Sequence, residues 1–466
     1  MTDASGVAAV GDSLGELPAG WSRATLDQLG VEAQPGFASG RHNRDGHGIV
    51  HLRPMNITRG GIVDLSDARY VGDESDRRVE FGDVLFNNTN SPALVGKTAW
   101  VDSAKPLAYS NHMTRLRPPE CLHGKFLAVQ LHWLWSCGYF KTVLNNHVNQ
   151  ASVASKVLLQ TPVVVPPTAE QHRIVAELDK QLAHIYDGET ALANAQTQLT
   201  EFEASLLARA TKQHPDASIW GFSTIGEMAK VSSGATPLKG KSEYYDDGTI
   251  PWITSSLLND AYVYKGEKYI TELALKETAV KEYPPGTILL AMYGEGKTRG
   301  KCSELRIRAT TNQACAAIQL HPEYESRRDW LKTLLEALYE ENRALASGGV
   351  QPNLSLSLIK KIRVPLPPHA QQRKILAELT ERRSDASAMA KVIAEAQAQA
   401  HALRGSLLAT AFSGKLVPQD AADEPASVLL DRIRAERATT PARKRAARTR
   451  RTTRKTAPPG QEELPQ

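Results

Sequence analysis

The chain contains PPTAEQHRIVAEL at Pro166–Leu178 and, 201 residues later, PPHAQQRKILAEL at Pro367–Leu379. The same offset carries SLLA from Ser205–Ala208 to Ser406–Ala409, so the register is kept between the two motifs. Self-similarity at a fixed spacing is the signature of a repeated structural unit. We conclude that one unit of about 200 residues has been duplicated in this chain of 466 residues.

The back part of each repeat has the periodicity of a long helix. The proline pairs Pro166-Pro167 and Pro367-Pro368 end an extended run and favour a helix start directly after them. A seven-residue step then forms two ladders, Leu178, Ile185, Leu192, Leu199 and Leu206 in the first copy and Leu379, Ala386, Ile393, Ala400 and Leu407 in the second. The adjoining positions hold Ile174, Ala195, Phe202, Ile375, Met389, Ala396 and Leu403. Ladders with this step predict that the two helices pair as a coiled coil.

The ladders leave the direction of pairing open. Antiparallel pairing about Leu192 and Ile393 would set Ile185 against Ala400 and Leu199 against Ala386, so that large residues face small ones. Parallel pairing matches the sizes equally well. We expect the antiparallel arrangement, because two equivalent halves of one chain tend to associate about a pseudo-two-fold axis. A long core helix in a bundle is the alternative.

The first helix is predicted to be a long spacer. Its residues Ala169 to Ala210 would form a rod of about 60 Å at 1.5 Å per residue. Gly188 interrupts the rod at a cost of about 1 kcal/mol relative to alanine, which allows a local bend there. Such a rod would hold the two front parts of the repeats apart.

The front parts, about 17–165 and 219–364, are short β-like runs between Gly, Pro, Asn and Asp turns, which predicts an α+β fold for each. Similar runs recur in both copies: GIVHLR at Gly48 with GTIPWI at Gly248, FGDVLF at Phe81 with PGTILL at Pro285, and SNH at Ser110 with TNQ at Thr311. A late helix is predicted at about 124–144 and again at about 328–345, each followed by a polar loop. The two copies therefore share a scaffold and differ in their loops.

The composition is that of a globular chain, with 41% hydrophobic residues and no run of eighteen apolar residues. The N-terminus lacks the basic start and apolar core of a signal peptide, so we expect a cytoplasmic protein without membrane contact. The four cysteines, Cys121, Cys137, Cys302 and Cys315, form no CxxC pair and fit reduced, buried thiols.

The positive charge is concentrated near the C-terminus. Arg443–Lys455 holds eight basic residues and no acidic one, and subtracting these eight from the net charge of +5 leaves −3. The segment has no apolar periodicity, which predicts disorder. It is either a solubility tail or a source of sequence-independent attraction to phosphate, and in neither case the element that recognises a sequence.

Taken together, these features resemble the specificity subunit of type I restriction-modification systems. The resemblance rests on the two divergent front domains, the twice-used PPxxxQxxI helix start, LLATAFSGKLVPQD at Leu407 and EPASVLLDRIRAER at Glu424, with SGATP at Ser233 and VQPNLS at Val350. It covers almost the whole chain. The first domain departs from the family pattern, because NHVNQAS at Asn146 replaces the usual Gly-Gln-Pro-Asn type of loop.

The resemblance implies a division of the chain. We expect a flexible N-terminus (1–16), target-recognition domain 1 (17–165), helix 1 (166–212), target-recognition domain 2 (213–365), helix 2 (366–413), a short helical segment (414–438) and a disordered basic tail (439–466). Each recognition domain would read one half of a split double-stranded DNA target. The helices would bind two methyltransferase subunits and set the spacing between the half-sites.

The implied partners carry the chemistry. Two methyltransferase subunits would bind S-adenosylmethionine, and a restriction and translocation subunit would use ATP and Mg²⁺, so no cofactor is expected in this chain. GKT occurs at Gly96 and Gly296, but a phosphate loop needs a glycine five residues earlier, where Ser91 and Ala291 stand. We therefore predict no catalytic residue and no metal ligand.

Loops rich in hydrogen-bonding side chains are the candidates for DNA contact, since Asn and Gln suit adenine and Arg or Lys suit guanine. In the first domain they are Arg41, Asn43, Arg44, Asn87, Asn88, Asn90, Lys97, Asn145, Asn146 and Asn149. In the second they are Thr236, Lys239, Lys241, Tyr293, Lys297, Thr298, Arg299, Lys301, Gln351 and Asn353. For each of these residues the alternative is a solvated loop position or a turn former.

A different class of function stays open. A coiled-coil adaptor whose front domains bind protein would present clustered aromatic anchors. Trp133 and Trp135 lie close together in the first domain, although their helical context favours core packing.

Overall fold

The computed structural model describes residues 16–72, 75–146, 150–293, 298–345 and 354–439. The chain divides into two compact units: unit 1 is formed by Met1–Asp187 with Ala400–Gln466, and unit 2 by Gly188–Gln399. Each unit therefore holds one front domain, the start of one long helix and the end of the other. Unit 1 is discontinuous in sequence, which the linear order of the predicted domains did not anticipate.

Unit 1 is a mixed α+β domain. Its strands are β1 (Ser22–Thr25), β2 (Glu32–Pro35), β3 (Ile49–Leu52), β4 (Tyr70–Val71), β5 (Val84–Asn87), β6 (Thr89–Asn90), β7 (Thr98–Trp100), β8 (Ala108–Tyr109), β9 (Met113–Arg117), β10 (Asn145–Asn146), β11 (Ala151–Ser152) and β12 (Pro162–Val165). The helices before the long one are α1 (Gly124–Ser136), α2 (Tyr139–Val143) and α3 (Ser155–Leu159). The strands form sheets in the orders β2-β9-β5-β7, β4-β3-β8, β10-β11-β6 and β1-β12.

The long helices and the elements of unit 2 follow in chain order. The helices are α4 (Thr168–Ala210), α5 (Ile225–Met228), α6 (Glu272–Glu277), α7 (Arg328–Ala337), α8 (Tyr339–Leu345), α9 (Leu356–Lys360), α10 (His369–Phe412) and α11 (Ala426–Thr439), the last belonging to unit 1. The strands are β13 (Gly221–Thr224), β14 (Ala229–Ser233), β15 (Ile250–Ile253), β16 (Tyr262–Val263), β17 (Lys268–Ile270), β18 (Glu282–Tyr283), β19 (Ile288–Ala291), β20 (Cys302–Leu305), β21 (Ala309–Thr311), β22 (Cys315–Leu320) and β23 (Arg363–Leu366). They pair in the orders β14-β22-β19-β20-β16, β17-β15-β21-β18 and β13-β23.

The two front domains repeat the same strand pairings. The antiparallel pair β1 and β12 in unit 1 corresponds to β13 and β23 in unit 2, and each pair leads directly into a long helix. The parallel pair β3 and β8 corresponds to β15 and β21. A glycine permits the same close approach in both copies, because a Cβ on Gly36 would lie 2.3 Å from the Ser110 carbonyl oxygen and one on Gly234 would lie 1.9 Å from that of the equivalent Thr311. The duplication inferred from the helices thus extends through the scaffold.

The late helix of each repeat is broken in two, where the sequence predicted one continuous helix. In unit 1 the break is at Cys137 and Gly138, and Gly138 has a φ of 83°, a left-handed conformation that glycine adopts without steric cost. In unit 2 the break is at Leu338, between α7 and α8.

The long helices carry the ladder residues and the residues that flank them. Both are continuous, with 43 residues in α4 and 44 in α10, so Gly188 does not interrupt α4. All ten ladder residues are buried or half-buried. The adjoining residues Phe202, Met389 and Leu403 are 45%, 59% and 59% exposed. Ile174 and Ile375 are buried because the cores of the front domains cover the helix starts, and that cover is missing further along each helix.

The two helices run in opposite directions. The core of unit 1 contains Leu178 from the start of α4 and Phe412 from the end of α10. In unit 2, Ile375 from the start of α10 belongs to the core against which Ala210 at the end of α4 packs. Each unit thus joins the beginning of one helix to the end of the other, which is the antiparallel arrangement.

The four cysteines are free thiols. Cys302 and Cys315 are buried, as the sequence predicted, and burial raises the pKa of both thiols to about 12. Cys121 is half-buried and Cys137 is exposed, so the expectation of buried thiols was wrong for Cys137. It follows Ser136, the last residue of α1.

The segment after α10 closes the core of unit 1. Glu170, in the first turn of α4, is 1% exposed. Its carboxylate accepts hydrogen bonds from Trp21 Nε1 at 2.9 Å and from Gln419 Nε2 at 2.6 Å. Helix α11 then packs its apolar face, Leu429, Leu430 and Ile433, on the same core. Burial raises the pKa of the Glu170 carboxyl.

Unit 2 has a contact equivalent to that of Glu170, but here the residue on the long helix is an amide and its partner after the other helix is an acid. Gln371, which is equivalent to Glu170 at the repeat offset, accepts a hydrogen bond from Trp220 Nε1 at 3.1 Å. Its Nε2 donates to Asp216 Oδ2 at 2.6 Å, and Asp216 lies in the segment after α4. In both units, therefore, the segment that leaves one long helix is bonded to the first turn of the other.

This contact predicts how unit 1 responds to changes at Glu170. Glu170→Ala should lower the free energy of unfolding by about 2–4 kcal/mol, because each orphaned buried donor costs about 1–3 kcal/mol. Glu170→Gln keeps the shape and an acceptor, so it should cost much less. Urea denaturation followed by tryptophan fluorescence measures both.

The pH dependence has a definite sign. A carboxyl whose pKa is raised in the folded state contributes most stability at acidic pH and loses that contribution as pH rises through the folded pKa. Wild type should therefore gain stability relative to Glu170→Gln as pH is lowered from neutral. A difference between the two proteins that stays constant with pH would contradict the buried carboxylate.

Candidate nucleic-acid interface

Two of the predicted loops of unit 1 meet in one small sheet. In the order β10-β11-β6, Asn146 and Asn90 lie on either side of Ala151 in one row, and Asn145 pairs with Ser152 in the next. Asn145 and Asn146 are exposed and Asn90 is half-buried. Residues paired across strands share a face, so the amides of Asn90 and Asn146 project from the same face, about 10 Å apart at two strand spacings. Asn90 Oδ1 accepts a hydrogen bond from Ser91 N at 2.8 Å, so Asn90 would contribute its Nδ2 donor. Exposed amides such as that of Asn146 can both donate and accept at base edges.

Asn87 and Lys97 lie inside the domain. Asn87 is 0% exposed, and its Nδ2 donates to the Leu94 carbonyl oxygen at 3.0 Å. Lys97 is 5% exposed, and its ammonium donates to the carbonyl oxygen of Ile57. Burial lowers the pKa of this lysine, and Arg59 adds charge repulsion. Neither side chain can reach a base in this structure, so both hold the loops of the domain in place.

Asn88 is half-buried beside them. Its backbone N–H donates to the His112 carbonyl oxygen at 3.0 Å and its Nδ2 to Thr89 Oγ1 at 3.3 Å. The backbone of Thr89 also bonds the His112 carbonyl oxygen, at 3.2 Å. Asn88 therefore fixes the approach to β6 and presents only part of its amide to solvent.

The loop at Arg41–Arg44 is a turn held on strand β4. The backbones of Asn43 and Tyr70 exchange hydrogen bonds of 3.0 and 3.1 Å, and Asn43 Nδ2 donates to the His47 carbonyl oxygen at 2.9 Å. The amide of Asn43 thus shapes the turn. Arg41 and Arg44 are exposed on it.

Three arginines converge on one carboxylate next to this turn. Asp67 lies 3.1 Å from the Arg53 guanidinium, 3.5 Å from that of Arg44 and 3.7 Å from that of Arg69. Arg53 also donates to the Asp67 carbonyl oxygen at 2.8 Å. Three guanidinium groups thus share one carboxylate.

The first loop of unit 2 contains a similar pairing. Lys241 Nζ lies 2.7 Å from Glu277, at the end of α6, and 4.3 Å above the ring of Tyr244. The hydrogen bond that Lys241 donates to Glu277 raises the pKa of Lys241. Thr236 donates to Gln313, and Lys239 is exposed at the tip of the loop. Lys239 is therefore the more accessible of the two lysines.

Further along unit 2, Lys301 contacts helix α8. Lys301 Nζ is 5.0 Å above the ring of Tyr339, and Tyr293 packs against the core of the unit. Thr298 and Arg299 are half-buried. Four predicted residues, Asn149, Lys297, Gln351 and Asn353, lie outside the described residues.

Sequence reasoning missed the groups that hold these loops. Asp67 and Glu277 were overlooked because a search for donors passes over acids. His132 also holds this part of the domain, because its Nδ1 accepts from Thr98 N at 3.3 Å and its Nε2 lies 3.0 Å from the Arg59 carbonyl oxygen. Burial lowers the pKa of His132 to about 4, so the ring is neutral at neutral pH.

Other kinds of site find little support. Among the residues that the structure describes, no three His, Cys, Asp or Glu side chains are grouped so that they could hold a metal ion. The Gly96-Lys97-Thr98 sequence serves packing, since a Cβ on Gly96 would lie 2.5 Å from Phe140 and Lys97 is buried. Within the described ranges, no helix is long and apolar enough to cross a membrane.

The chain is similar in sequence to specificity subunits of type I restriction enzymes. The chain is 24% identical over 465 residues to the type I restriction enzyme EcoKI specificity subunit of Escherichia coli K12, a match that covers 91% of this chain and 97% of that subunit. It is 30% identical over 184 residues to the type I restriction enzyme MjaIX specificity subunit of Methanocaldococcus jannaschii, covering 39% of this chain and 40% of that subunit. The latter match therefore spans less than half the length of either protein.

A solved structure shares the fold. It comes from work on complex assembly and conformational transition of the type I R-M system, and it covers 86% of this chain and 99% of its own with a TM-score of 0.67 and 20% identity. The family model of the type I restriction modification DNA specificity domain matches residues 55–194 and again 218–390, once in each repeat. Since the two matches together cover more than half of the sequence, the chain belongs to the family of type I restriction-modification specificity subunits.

Proposed function

We propose that this chain is a non-catalytic subunit that recognises a bipartite double-stranded DNA target and directs adenine methylation and restriction by partner subunits. The observation that carries the proposal is the pair of front domains, which share strand pairings and close glycine contacts but present different polar loops. A duplicated scaffold with different loops suits the reading of two different half-sites on one duplex. The half-sites would be separated by base pairs that the protein does not read.

The exposed loop residues divide the work of recognition. Asn145, Asn146 and Asn90 offer amides for base edges, whereas Arg41, Arg44 and Lys239 suit phosphate. The phosphate contacts would set the position of the protein on the duplex, and the amides would specify sequence. The half-site of unit 1 would then be richer in adenine contacts.

The outer faces of the long helices suit protein partners. Tyr186, Phe202, Met389, Val392 and Leu403 are large apolar residues with 45–64% of their surface exposed. Met389 and Val392 lie three residues apart on α10 and so share a face, and contiguous exposed apolar patches favour association with another protein. We assign these faces to methyltransferase subunits, two in number, which would bind S-adenosylmethionine. A restriction and translocation subunit, with ATP and Mg²⁺, would complete the complex.

The alternative function, a coiled-coil adaptor, depended on Trp133 and Trp135 as an exposed aromatic anchor. Trp133 is 5% exposed in the core of unit 1, and Trp135 donates its Nε1 hydrogen to the Ala93 carbonyl oxygen at 3.2 Å. Both rings serve packing in this structure. They do not form the exposed aromatic anchor that a protein-binding front domain would need.

Adenine-methylation mapping tests the proposal. DNA would be sequenced from cells that express this chain with and without its neighbouring methyltransferase. We expect a split motif with a fixed gap, methylated only when both proteins are present. Absence of new methylation with an intact methyltransferase would favour the adaptor.

The sheet β10-β11-β6, which carries Asn145 and Asn146, gives a more local prediction. Replacing both Asn145 and Asn146 by alanine should relax or abolish methylation at one half-site, at a cost of about 1–3 kcal/mol per lost bidentate base contact. The melting temperature should stay close to wild type, because both side chains are exposed. Asn87→Ala is the matched control, since it removes a buried amide and should lower stability instead. Unchanged methylation in the double variant would remove this sheet from the interface.

The helix faces give a prediction about assembly. Met389→Asp with Val392→Asp should prevent co-purification of the methyltransferase, because two charges would be buried in the interface. The free chain should melt normally, since these residues are 59% and 64% exposed. Lys391→Asp, at a neighbouring exposed position, is the control for added negative charge. Normal co-purification of the double variant would place the partner elsewhere.

A further inference from the structure

The first loops of the two front domains carry the same arrangement of charges in different residues. In unit 1 the arginines around the turn converge on Asp67, and in unit 2 Lys241 is held by Glu277. Both turns precede a glycine that lies tightly against the paired strand, since a Cβ on Gly48 would lie 2.1 Å from the Val71 carbonyl oxygen and one on Gly248 would lie 2.8 Å from Ile270 N. The two loops therefore occupy equivalent places in the repeat, and each pairs one cation, Arg44 or Lys241, with a carboxylate from a separate segment. Lys241 also lies 3.7 Å from Glu243 in its own segment.

The carboxylates are accessible to solvent. The Asp67 side chain is 47% exposed and that of Glu277 is 45% exposed. Ion pairs at this exposure contribute little to folding stability. Stability alone thus gives a weak reason for a carboxylate at either position.

In unit 1 the single Asp67 carboxylate cannot bond all the N–H donors of the three guanidinium groups around it. The Arg53 guanidinium lies 3.1 Å from the carboxylate, which is a normal hydrogen-bond distance. The guanidinium groups of Arg44 and Arg69 lie further away, at 3.5 and 3.7 Å. A guanidinium has five N–H donors in a fixed fork that matches a phosphate. The side chains of Arg53 and Arg69 are 22% and 20% exposed, so their positions are restrained by packing. Asp67 therefore holds a preformed group of phosphate donors.

We propose that Asp67 and Glu277 act as internal competitors of DNA phosphate, which lower the affinity for arbitrary DNA and so raise the discrimination in favour of the target. This inference rests on the proposed function. On arbitrary DNA the gain from phosphate contact is offset by displacement of the carboxylate. On the target, base contacts add to the same phosphate contacts, and the ratio of the two affinities rises.

The test uses the purified full-length chain and a fluorescent duplex of arbitrary sequence, with binding followed by anisotropy over a range of salt concentrations. Asp67→Asn should tighten binding about three- to tenfold near 0.1 M salt, because it removes one competing charge. The slope of log K against log salt should steepen by about 0.9 for each additional phosphate contact. Arg44→Gln added to Asp67→Asn should remove most of the gain.

A matched control separates local competition from net charge. Asp431 on α11 forms an exposed ion pair with Arg434 at 2.9 Å, so Asp431→Asn changes the net charge by the same amount away from the loop. It should leave binding to arbitrary DNA nearly unchanged. Equal tightening by the two variants, or no tightening by Asp67→Asn at an unchanged melting temperature, would overturn the inference.

The second unit supplies an independent variant. If Asp67→Asn lowers the melting temperature, Glu277→Gln tests the same competition in the other front domain, and it should also tighten binding. Failure to tighten there overturns the inference as well. If wild type binds no duplex at all, the proposed function itself fails, and that outcome differs from normal binding by wild type without tightening by the variants.

Discussion

A buried carboxylate joins the segments on which unit 1 depends. Glu170 accepts hydrogen bonds from Trp21, at the start of the front domain, and from Gln419, beyond the end of α10. The partners are 149 and 249 residues away in sequence. Unit 1 can therefore close its core only when almost the whole described chain is present. The residues that follow, Leu429, Leu430 and Ile433, complete the same core and make the C-terminal segment part of the first domain.

The two units consequently differ in how they can form. Unit 2 is continuous from Gly188 to Gln399, whereas unit 1 needs residues from both ends of the chain. Contacts between distant residues are slow to form because the loop-closure entropy is lost first. Unit 2 can thus fold on its own contacts while unit 1 waits for α10 and α11. In unit 1 the acid is on the long helix and the amide is Gln419, whereas in unit 2 the amide is on the long helix and the acid is Asp216. This exchange opposes mispairing of the two units' segments, because Asp216 opposite Glu170 would place two carboxylates together.

The repeat and the periodicity of the helices could be predicted from sequence, because both are local patterns. The proline pairs mark the helix starts closely, and the ladder residues of α4 and α10 are buried or half-buried. The discontinuity of unit 1 could not be predicted, since no local pattern reveals that Gln419 bonds Glu170. The exposure of Phe202, Met389 and Leu403 also escaped prediction, because a hydrophobic position on a helix does not reveal whether another surface covers it.

For the candidate interface, too, the sequence predicted the types of residue but not which of them are exposed. Asn and Lys were chosen for their donors, yet the fold uses Asn43, Asn87 and Lys97 to hold its own backbone. A loop that presents side chains to DNA at fixed positions needs such internal hydrogen bonds, because an unsupported loop would lose entropy on binding. The same polar residue types therefore serve rigidity and recognition in one loop. Burial separates the two roles: Asn87 supports β5, and two residues further on the chain enters β6, whose Asn90 reaches the face that it shares with Asn146.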